Sequence, residues 1–567
     1  MNFARDVLDR RPPGDLALVE LARDGERREW SFGEVSTHTA RLAGALRARG
    51  IRRGDVVMTL IGNRPEWAIA MCACMRIGAV VLPCTEQLRA KDLRLRIAVA
   101  RPALILADER NRTELEAALA GPDATRAPGP PPGTPPPPGT PPPPGTPPPP
   151  GTEPPAGETV PRRDDVQVVY IPDEALFAAE PAPAIELDEQ DPCLITFTSG
   201  TAGEPKAVLH AQRYLPGQRV QASHWLGARA GELVWCTAAS GWSKSARNVF
   251  IAPWISGASA LLHDARFAPV QRLELLERER VGVLCMAPTE YRVIAARTTL
   301  RALPDLRLMV AAGEALNPEV LHVWRAATGI DIRDGYGQTE TGQLTGIAHD
   351  EPARPGSMGR ALPGVGLSVL DGELVADPST VPTFFLGYLG EGVTRTGDGH
   401  SESGDTPGGP GNPTGPINPG DDAHHNHGWQ IEDRRDGGPW HTGDRVHEDE
   451  DGYLWFEGRA DDVIVSAGYR IGPFEVESAL IAHPAVAEAA AVSAPDPERG
   501  SVVRAIVVLR PDAPTPGPEL VRELQEHVKR ETAPYKYPRI VEFADELPKT
   551  ASGKVKRAAL REQAYSG

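Results

Sequence analysis

The chain is short of lysine. Of 60 basic residues only eight are lysine (Lys91, Lys206, Lys244, Lys529, Lys536, Lys549, Lys554 and Lys556), and arginine fills every other basic position. In such a background a lysine marks a place where a compact ammonium is preferred over a planar guanidinium. That favours Lys206 and Lys554 once their neighbours are read. Positive charge is also lacking overall. A net charge of −17 excludes nucleic acid or an anionic membrane as the main partner, so a phosphate ligand has to be held by local groups. Cysteine is scarce: Cys72, Cys74, Cys84, Cys193, Cys236 and Cys285 sit mostly in apolar segments. Cys72-x-Cys74 is not a zinc spacing, and buried reduced thiols of a cytosolic protein are expected. No apolar run is long enough to span a bilayer, and Met1–Asp6 lacks the apolar core of a signal peptide. An integral membrane segment is therefore not expected, and a cytoplasmic location is.

What is present is ample. With 567 residues, 40% of them hydrophobic, the chain exceeds one ordinary core and at least two domains are expected. Ser31–Arg49 reads as a helix with an apolar stripe through Val35, Leu42, Ala43 and Leu46, ending near Gly50. Asp55–Ile61 and Ala79–Pro83 read as buried strands around another helix. Val281–Met286 and Leu306–Val310 are strands in the same βαβ rhythm, with helices such as Pro318–Thr328. The fold class is α/β: helix-covered parallel or mixed sheets in a large N-terminal domain over residues 1–458. Beyond Gly458 a small α+β unit follows over 463–567, with helices at Pro473–His483 and Glu519–Thr532 and strands at Val486–Val492 and Val502–Leu509. Residues 459–462 are the boundary.

Two stretches break the pattern. Residues 127–155 are low complexity, with G-T-P-P-P-P recurring from Gly133, Gly139 and Gly145; such a segment adopts polyproline II without a core and is expected to lie outside the fold. Residues 390–428 are rich in Gly, Pro, Asp and Asn and include His424, His425 and His427, which in a polar loop point away from specific metal binding.

Chemistry gathers elsewhere. Thr198–Lys206 reads T-S-G-T-A-G-E-P-K after the apolar run Leu194–Phe197. Gly200 and Gly203 let backbone approach an anion, Thr198, Ser199 and Thr201 supply hydroxyls, and Lys206 adds charge. The spacing is not that of a Walker A loop. Gly313-Glu314-Ala315 follows a strand end, where open α/β sheets place ligands. Asp334-Gly335-Tyr336-Gly337-Gln338-Thr339-Glu340 follows the short strand Ile330–Arg333. It offers an aromatic plane for a purine in Tyr336, a phosphate-facing hydroxyl in Thr339 and a Mg²⁺ ligand in Glu340. Trp440-His-Thr-Gly-Asp444 offers a carboxylate for two vicinal ribose hydroxyls. Lys549-Thr-Ala-Ser-Gly-Lys554 presents one ammonium near the C-terminus. Each segment alone could be an ordinary turn or a solvated charge; five in this order together are not.

These segments resemble the signatures of the acyl-activating, AMP-forming adenylate enzymes. Arg459–Ile464, Ser466–Glu477 and Ala533–Pro538 place the likeness nearest the medium-chain acyl-CoA synthetases. It covers nearly all of the chain except the two inserts. The resemblance implies two steps: a carboxylic acid and Mg-ATP give an acyl-adenylate and pyrophosphate, then CoA displaces AMP. It implies that Lys554 touches the carboxylate and α-phosphate, concentrating positive charge where anion meets anion, and that the Thr198–Lys206 loop holds the outer phosphates with Glu340 on the metal. By the same likeness Gly313, Glu314, Ala315, Asp334, Gly335, Tyr336, Thr339, Asp444, Arg459 and Arg470 contact the nucleotide. Asp461 is the hinge about which the small domain turns, and Gly468, Tyr469, Arg499 and Tyr537 meet CoA.

Acyl specificity is expected from Trp242 and Gly337. Acetyl-specific relatives carry tryptophan at the second position, so glycine there implies room for a longer chain. An apolar pocket discriminates by only about 1–3 kcal/mol per methylene, so broad chain-length tolerance is expected. A medium-chain fatty acid is the favoured substrate; an aryl acid, or transfer to a carrier protein, is the alternative. A homodimer is left open.

Overall fold

A computed structural model describes residues 1–120, 166–198, 205–314, 316, 318–395, 429–431, 434–459, 462–466, 469–496, 499–550 and 554–566. Ser31 caps the helix Phe32–Ala48: its hydroxyl accepts from the Glu34 N–H, and the Glu34 carboxylate accepts from the Ser31 N–H at 2.8 Å. Two orphan donors of the first turn are thereby satisfied. Pro65 opens the helix Pro65–Ile77, and Gly78, at φ 72°, closes it in the left-handed region that glycine tolerates. Every residue of Val56–Leu60, Val80–Cys84 and Leu104–Asp108 is buried. Such continuous burial, rather than alternation, is the mark of strands covered on both faces by helices.

The large domain holds two extensive sheets. One orders nine strands as Trp429–Ile431, Gly392–Arg395, Gly387–Leu389, Ala207–Ala211, Pro192–Phe197, Val80–Cys84, Val56–Leu60, Leu104–Asp108 and Gln167–Ile171. The other orders seven as Ile332–Gly335, Leu308–Ala312, Val283–Met286, Leu233–Cys236, Ser259–His263, Leu16–Leu21 and Arg27–Ser31. Between Val283–Met286 and Leu308–Ala312 the chain crosses by the helix Pro288–Arg297, and Pro318–Thr328 leads on to Ile332–Gly335. A four-stranded antiparallel sheet of Leu367–Leu370, Glu373–Ala376, Trp440–Glu448 and Leu454–Arg459 completes the domain. The small C-terminal domain packs Pro473–Ala482 and Pro518–Glu531 on the sheet Val486–Asp496, Gly500–Leu509, Ile540–Phe543, and ends in the helix Arg557–Ser566. Its own core includes Ile464, Leu480, Val507 and Leu524.

Two expectations change. Residues 390–428 do not leave the fold at Gly390: Gly392–Arg395 pairs with Gly387–Leu389 on one side and Trp429–Ile431 on the other. The alternating Val393 and Trp429 are buried against the nine-stranded sheet, which a count of Gly and Pro overlooks. The strand expected at Ile330–Arg333 is Ile332–Gly335, so Asp334 and Gly335 are ladder residues, paired with Ala311 and Ala312. The proline repeat, and the three histidines at 424–427, lie outside the described residues. All six cysteines are free and buried, and burial pushes the Cys74 and Cys84 thiols up to about 12. Among the described residues no helix is long and apolar enough to cross a membrane.

Candidate active site

The sheet ends and the small domain enclose a cleft of roughly 1940 Å³ that Thr198, Glu314, Tyr336, Asp444 and Lys554 all line. One part of it is a hydrogen-bonded cluster around Asp444. This carboxylate is 4% exposed and accepts from the Tyr336 hydroxyl and from Gln338 Nε2 at 2.9 Å, both on Oδ2. Arg459 Nη1 stands 3.4 Å from Oδ1. Gln338 is itself held, donating to the Thr442 carbonyl at 2.7 Å and accepting from Trp440 Nε1 at 3.0 Å. Burial raises the Asp444 pKa, while Arg459, the Tyr336 and Gln338 hydrogen bonds and the charge of Lys554 hold it back. The result is a fixed, desolvated acceptor on the cleft wall.

Lys554 comes from the small domain yet senses the large one. Burial lowers its pKa, Glu314 and Asp444 oppose the shift, and the nearby charges of Lys244 and Arg459 reinforce it. An ammonium so placed between carboxylates and other cations is held where developing negative charge would be most strongly felt. Glu314 Oε2 accepts from the Thr289 hydroxyl at 2.6 Å. Lys244 Nζ donates to the Ala312 carbonyl at 3.0 Å and faces Asp334, a buried carboxyl pushed up to about 8 by burial.

The phosphate-loop residues Ser199, Gly200, Thr201 and Gly203 lie outside the described residues, as do Ala315, Asp461 and Gly468 and the side chain of Arg470. The flanks of that loop are described. Thr198 and Lys206 close the base of the hairpin, with Thr198 N–H to the Lys206 carbonyl at 2.9 Å and Lys206 N–H to Thr198 Oγ1 at 2.9 Å. Lys206 Nζ ion-pairs with Glu391 at 3.1 Å and sits 4.7 Å from the Tyr388 ring centroid. The Tyr388 hydroxyl donates to Glu340 Oε1 at 2.8 Å. One chain of contacts thus runs from the loop lysine to Glu340, and Thr339 lines the cleft beside it.

Two glycines of the site are also constrained by packing. A Cβ on Gly335 would lie 2.3 Å from Gln343 Nε2 and 2.9 Å from the Thr345 carbonyl, so close packing behind the site demands glycine there. A Cβ on Gly337 would meet the Gly342 carbonyl oxygen at 1.9 Å, because Gly337 pairs with Gln343 in a tight two-residue ladder. Gly337 is therefore required by its own hairpin, and pocket width alone does not account for it. Trp242 lines the cleft and is partly buried. Tyr469, Arg499 and Tyr537 do not line it. Tyr469 is exposed and stacks on Tyr535 at 4.4 Å, Tyr537 lies under Lys529 and Arg539, and Arg499 donates its N–H to Asp496 in the turn of the small sheet. In this arrangement the small domain turns Lys554, and not these three, toward the large domain.

Four residues of the site carried no role in the sequence reading. Gln338 lay inside a quoted motif, and Lys244 was visible as one of eight lysines. Tyr388 and Glu391 gave no local signal, since they reach the site only through sheet pairing with Val208 and Gly392 and their neighbours.

A model described as AMP-binding enzyme matches residues 4–387, and one described as AMP-binding enzyme C-terminal domain matches 475–554. The chain belongs to the AMP-binding enzyme family. Among relatives of this family, the mouse acyl-coenzyme A synthetase ACSM3, mitochondrial, is 35% identical over 100% of this chain and 90% of its own. The crystal structure of an acyl-CoA synthetase from Brucella canis is 30% identical, with a TM-score of 0.64 over 100% of this chain and 94% of that one. An anthranilate CoA ligase, AuaEII, in complex with anthranoyl-AMP is 26% identical, with a TM-score of 0.76 over 100% and 97%. The two family models divide between the two domains, and the Tyr336–Asp444 cluster and Lys554 come from opposite sides of that division.

Proposed function

We propose that this AMP-forming acid–CoA ligase activates a carboxylic acid of medium chain length. It consumes ATP, forms an acyl-adenylate and passes the acyl group to CoA, releasing AMP and pyrophosphate. The observation that carries the reading is the convergence on one cleft of Lys554, from the small domain, with Glu314, Lys244 and Asp444 from the large one and Arg459 at their boundary. Two carboxylates and three cations around one cleft suit a reaction in which an anion attacks a phosphorus atom already ringed by anions.

In this reading Asp444 accepts from the ribose hydroxyls and Tyr336 offers its ring to the purine. Gly313, Glu314, Ala315, Asp334, Gly335, Arg459 and Arg470 complete the nucleotide contacts. Thr198, Ser199, Gly200, Thr201, Gly203, Lys206 and Thr339 hold the outer phosphates. Lys554 draws the acid's carboxylate and the α-phosphate together. Glu340 would hold Mg²⁺: among the described residues only its Oε1 is engaged, by Tyr388, and a single carboxylate with phosphate oxygens is an ordinary Mg²⁺ environment. The metal would supply charge neutralisation on the phosphates. Residues 459–462 serve as the hinge between domains 1–458 and 463–567, and turning about Asp461 brings Gly468, Tyr469, Arg499 and Tyr537 to CoA. A cytoplasmic location belongs to the same proposal.

The test is CoA-dependent AMP release from ATP with acetate, butyrate, hexanoate, octanoate, decanoate and benzoate, with Lys554→Ala alongside. Turnover that peaks between butyrate and decanoate and collapses in the variant supports the reading. A benzoate peak moves the substrate to aryl acids, and no AMP with any acid overturns the reading.

A further inference from the structure

Behind Trp242 the cleft lining changes character. Trp242 precedes the short helix Ser243–Ala246, and Arg247 follows it directly. Lys244 and Arg247, three residues apart, share a face, and a rise of about 1.5 Å per residue puts Arg247 roughly one turn further along. Both line the cleft, but Lys244 is partly buried whereas Arg247 is 4% exposed. Nε and Nη1 of Arg247 have no hydrogen-bond partner among the described residues. Nη1 lies about 3.5 Å from where a Cβ of Gly342 would be, behind the Gly337 hairpin.

Among the described residues no carboxylate is paired with it. Arg247 contacts the Tyr214 hydroxyl. Next to it stand His210, Gln218, Gln221 and Asn248, all at most 2% exposed. Gln221 Nε2 donates to Gln218 at 2.8 Å and to Asn248 at 3.0 Å. Gln221 Oε1 and Asn248 Nδ2 are themselves left without partners among the described residues. Both Arg213 and Arg247 press their charge on His210, which burial holds neutral, at about 3. A buried guanidinium facing amides and a neutral imidazole, with no carboxylate paired to it among the described residues, is a costly arrangement for an apolar chain to be packed against. It is a suitable one for an anion, because planar donors match a carboxylate and the surrounding amides are already desolvated.

We propose that the acid activated here carries a second carboxylate at its far end, and that Arg247 is the specificity-determining residue that receives it. The inference rests on the ligase reading above, since it places the reacting carboxylate by Lys554 and the distal one by Arg247. An α,ω-dicarboxylic acid meets both needs. A plain fatty acid leaves the guanidinium buried and unpaired, and a site built around a polar group rejects an analogue lacking it far more strongly than an apolar pocket rejects a missing methylene.

The test uses the full-length enzyme and kcat/KM for CoA-dependent AMP release with length-matched acids: hexanoate against adipate, octanoate against suberate and 8-hydroxyoctanoate. The expected result is a preference of about tenfold or more for suberate over octanoate, with that ratio falling about a hundredfold in Arg247→Met and only partly in Arg247→Lys. The wild-type comparison decides even where a variant does not fold. Octanoate equal to or better than suberate overturns the proposal and leaves the ligase reading standing. So does 8-hydroxyoctanoate outpacing suberate, which would make the distal contact a neutral one. No turnover with any acid, in either series, overturns the ligase reading itself.

Discussion

Replacing Asp444 by asparagine is the sharpest probe of the nucleotide site, because the structure dictates how the new amide must sit. Oδ2 faces two donors, the Tyr336 hydroxyl and Gln338 Nε2 at 2.9 Å. An asparagine therefore keeps its carbonyl oxygen on that side and turns its NH₂ to the Oδ1 side, toward Arg459. The protein loses the charged acceptor proposed for the ribose hydroxyls and gains a donor next to a guanidinium. A hydrogen bond to a charged group contributes about 1.5–3 kcal/mol, so affinity for ATP should fall by about 10- to 150-fold. Ground state and transition state lose this contact alike, so KM for ATP should rise while kcat stays within a few-fold. Burial already raises the Asp444 pKa, so the neutral substitute relieves desolvation and the thermal midpoint should not drop. The assay is acid-dependent ATP–pyrophosphate exchange as a function of ATP. A KM within twofold of the wild type, or a loss in kcat with KM unmoved, would refute the reasoning.

Lys554→Ala should lower acid-dependent exchange by about 10²–10³-fold, while transfer from a supplied acyl-adenylate to CoA stays within a few-fold; equal losses in both half-reactions would deny Lys554 its separate place in the first. Asp334, with a carboxyl at about 8 against an ordinary 3.8, keeps its proton in the folded state after the unfolded chain has released it. Stability from this group is therefore present below about 4 and lost as pH rises toward about 8, and Asp334→Asn should gain thermal midpoint relative to the wild type across that window. Gly337→Ala should lower the thermal midpoint, since its Cβ has to displace the Gly342 carbonyl at a cost on the order of 1–3 kcal/mol; an unchanged midpoint with selective loss of long acids would make pocket width the whole explanation.

Local pattern made most of the architecture legible. Val56–Leu60 and Val80–Cys84 announce themselves as buried strands because both faces are covered, and Pro318–Thr328 because its apolar residues recur at helical spacing. The site was legible where its residues fall in contiguous segments, as at Tyr336–Glu340 and Trp440–Asp444. It was not legible where sheet pairing assembles it. Tyr388 reaches Glu340 from a strand whose neighbours lie some 180 residues earlier in the chain, and no window along the chain contains both. Arg247 escaped for another reason: a lone arginine in an arginine-rich chain carries no signal until its burial and missing partners are seen. Gly337 shows a demand that no sequence pattern reveals: the backbone of its own hairpin leaves no room for a Cβ.

The strand pair that bounds the second insert has a mechanical consequence. Arg395 and Trp429 stand opposite each other in an antiparallel ladder, and Trp429 is fastened by its indole N–H to the Gly54 carbonyl at 3.0 Å. Whatever lies between them begins and ends at one spot, so lengthening it costs little, about 0.6 kcal/mol per doubling. The strand it leaves from, Gly392–Arg395, directly follows Glu391, the ion-pair partner of Lys206, and lies alongside Tyr388, the partner of Glu340. A pull on Arg395 would therefore reach, through one short strand, the two residues that hold Lys206 and Glu340.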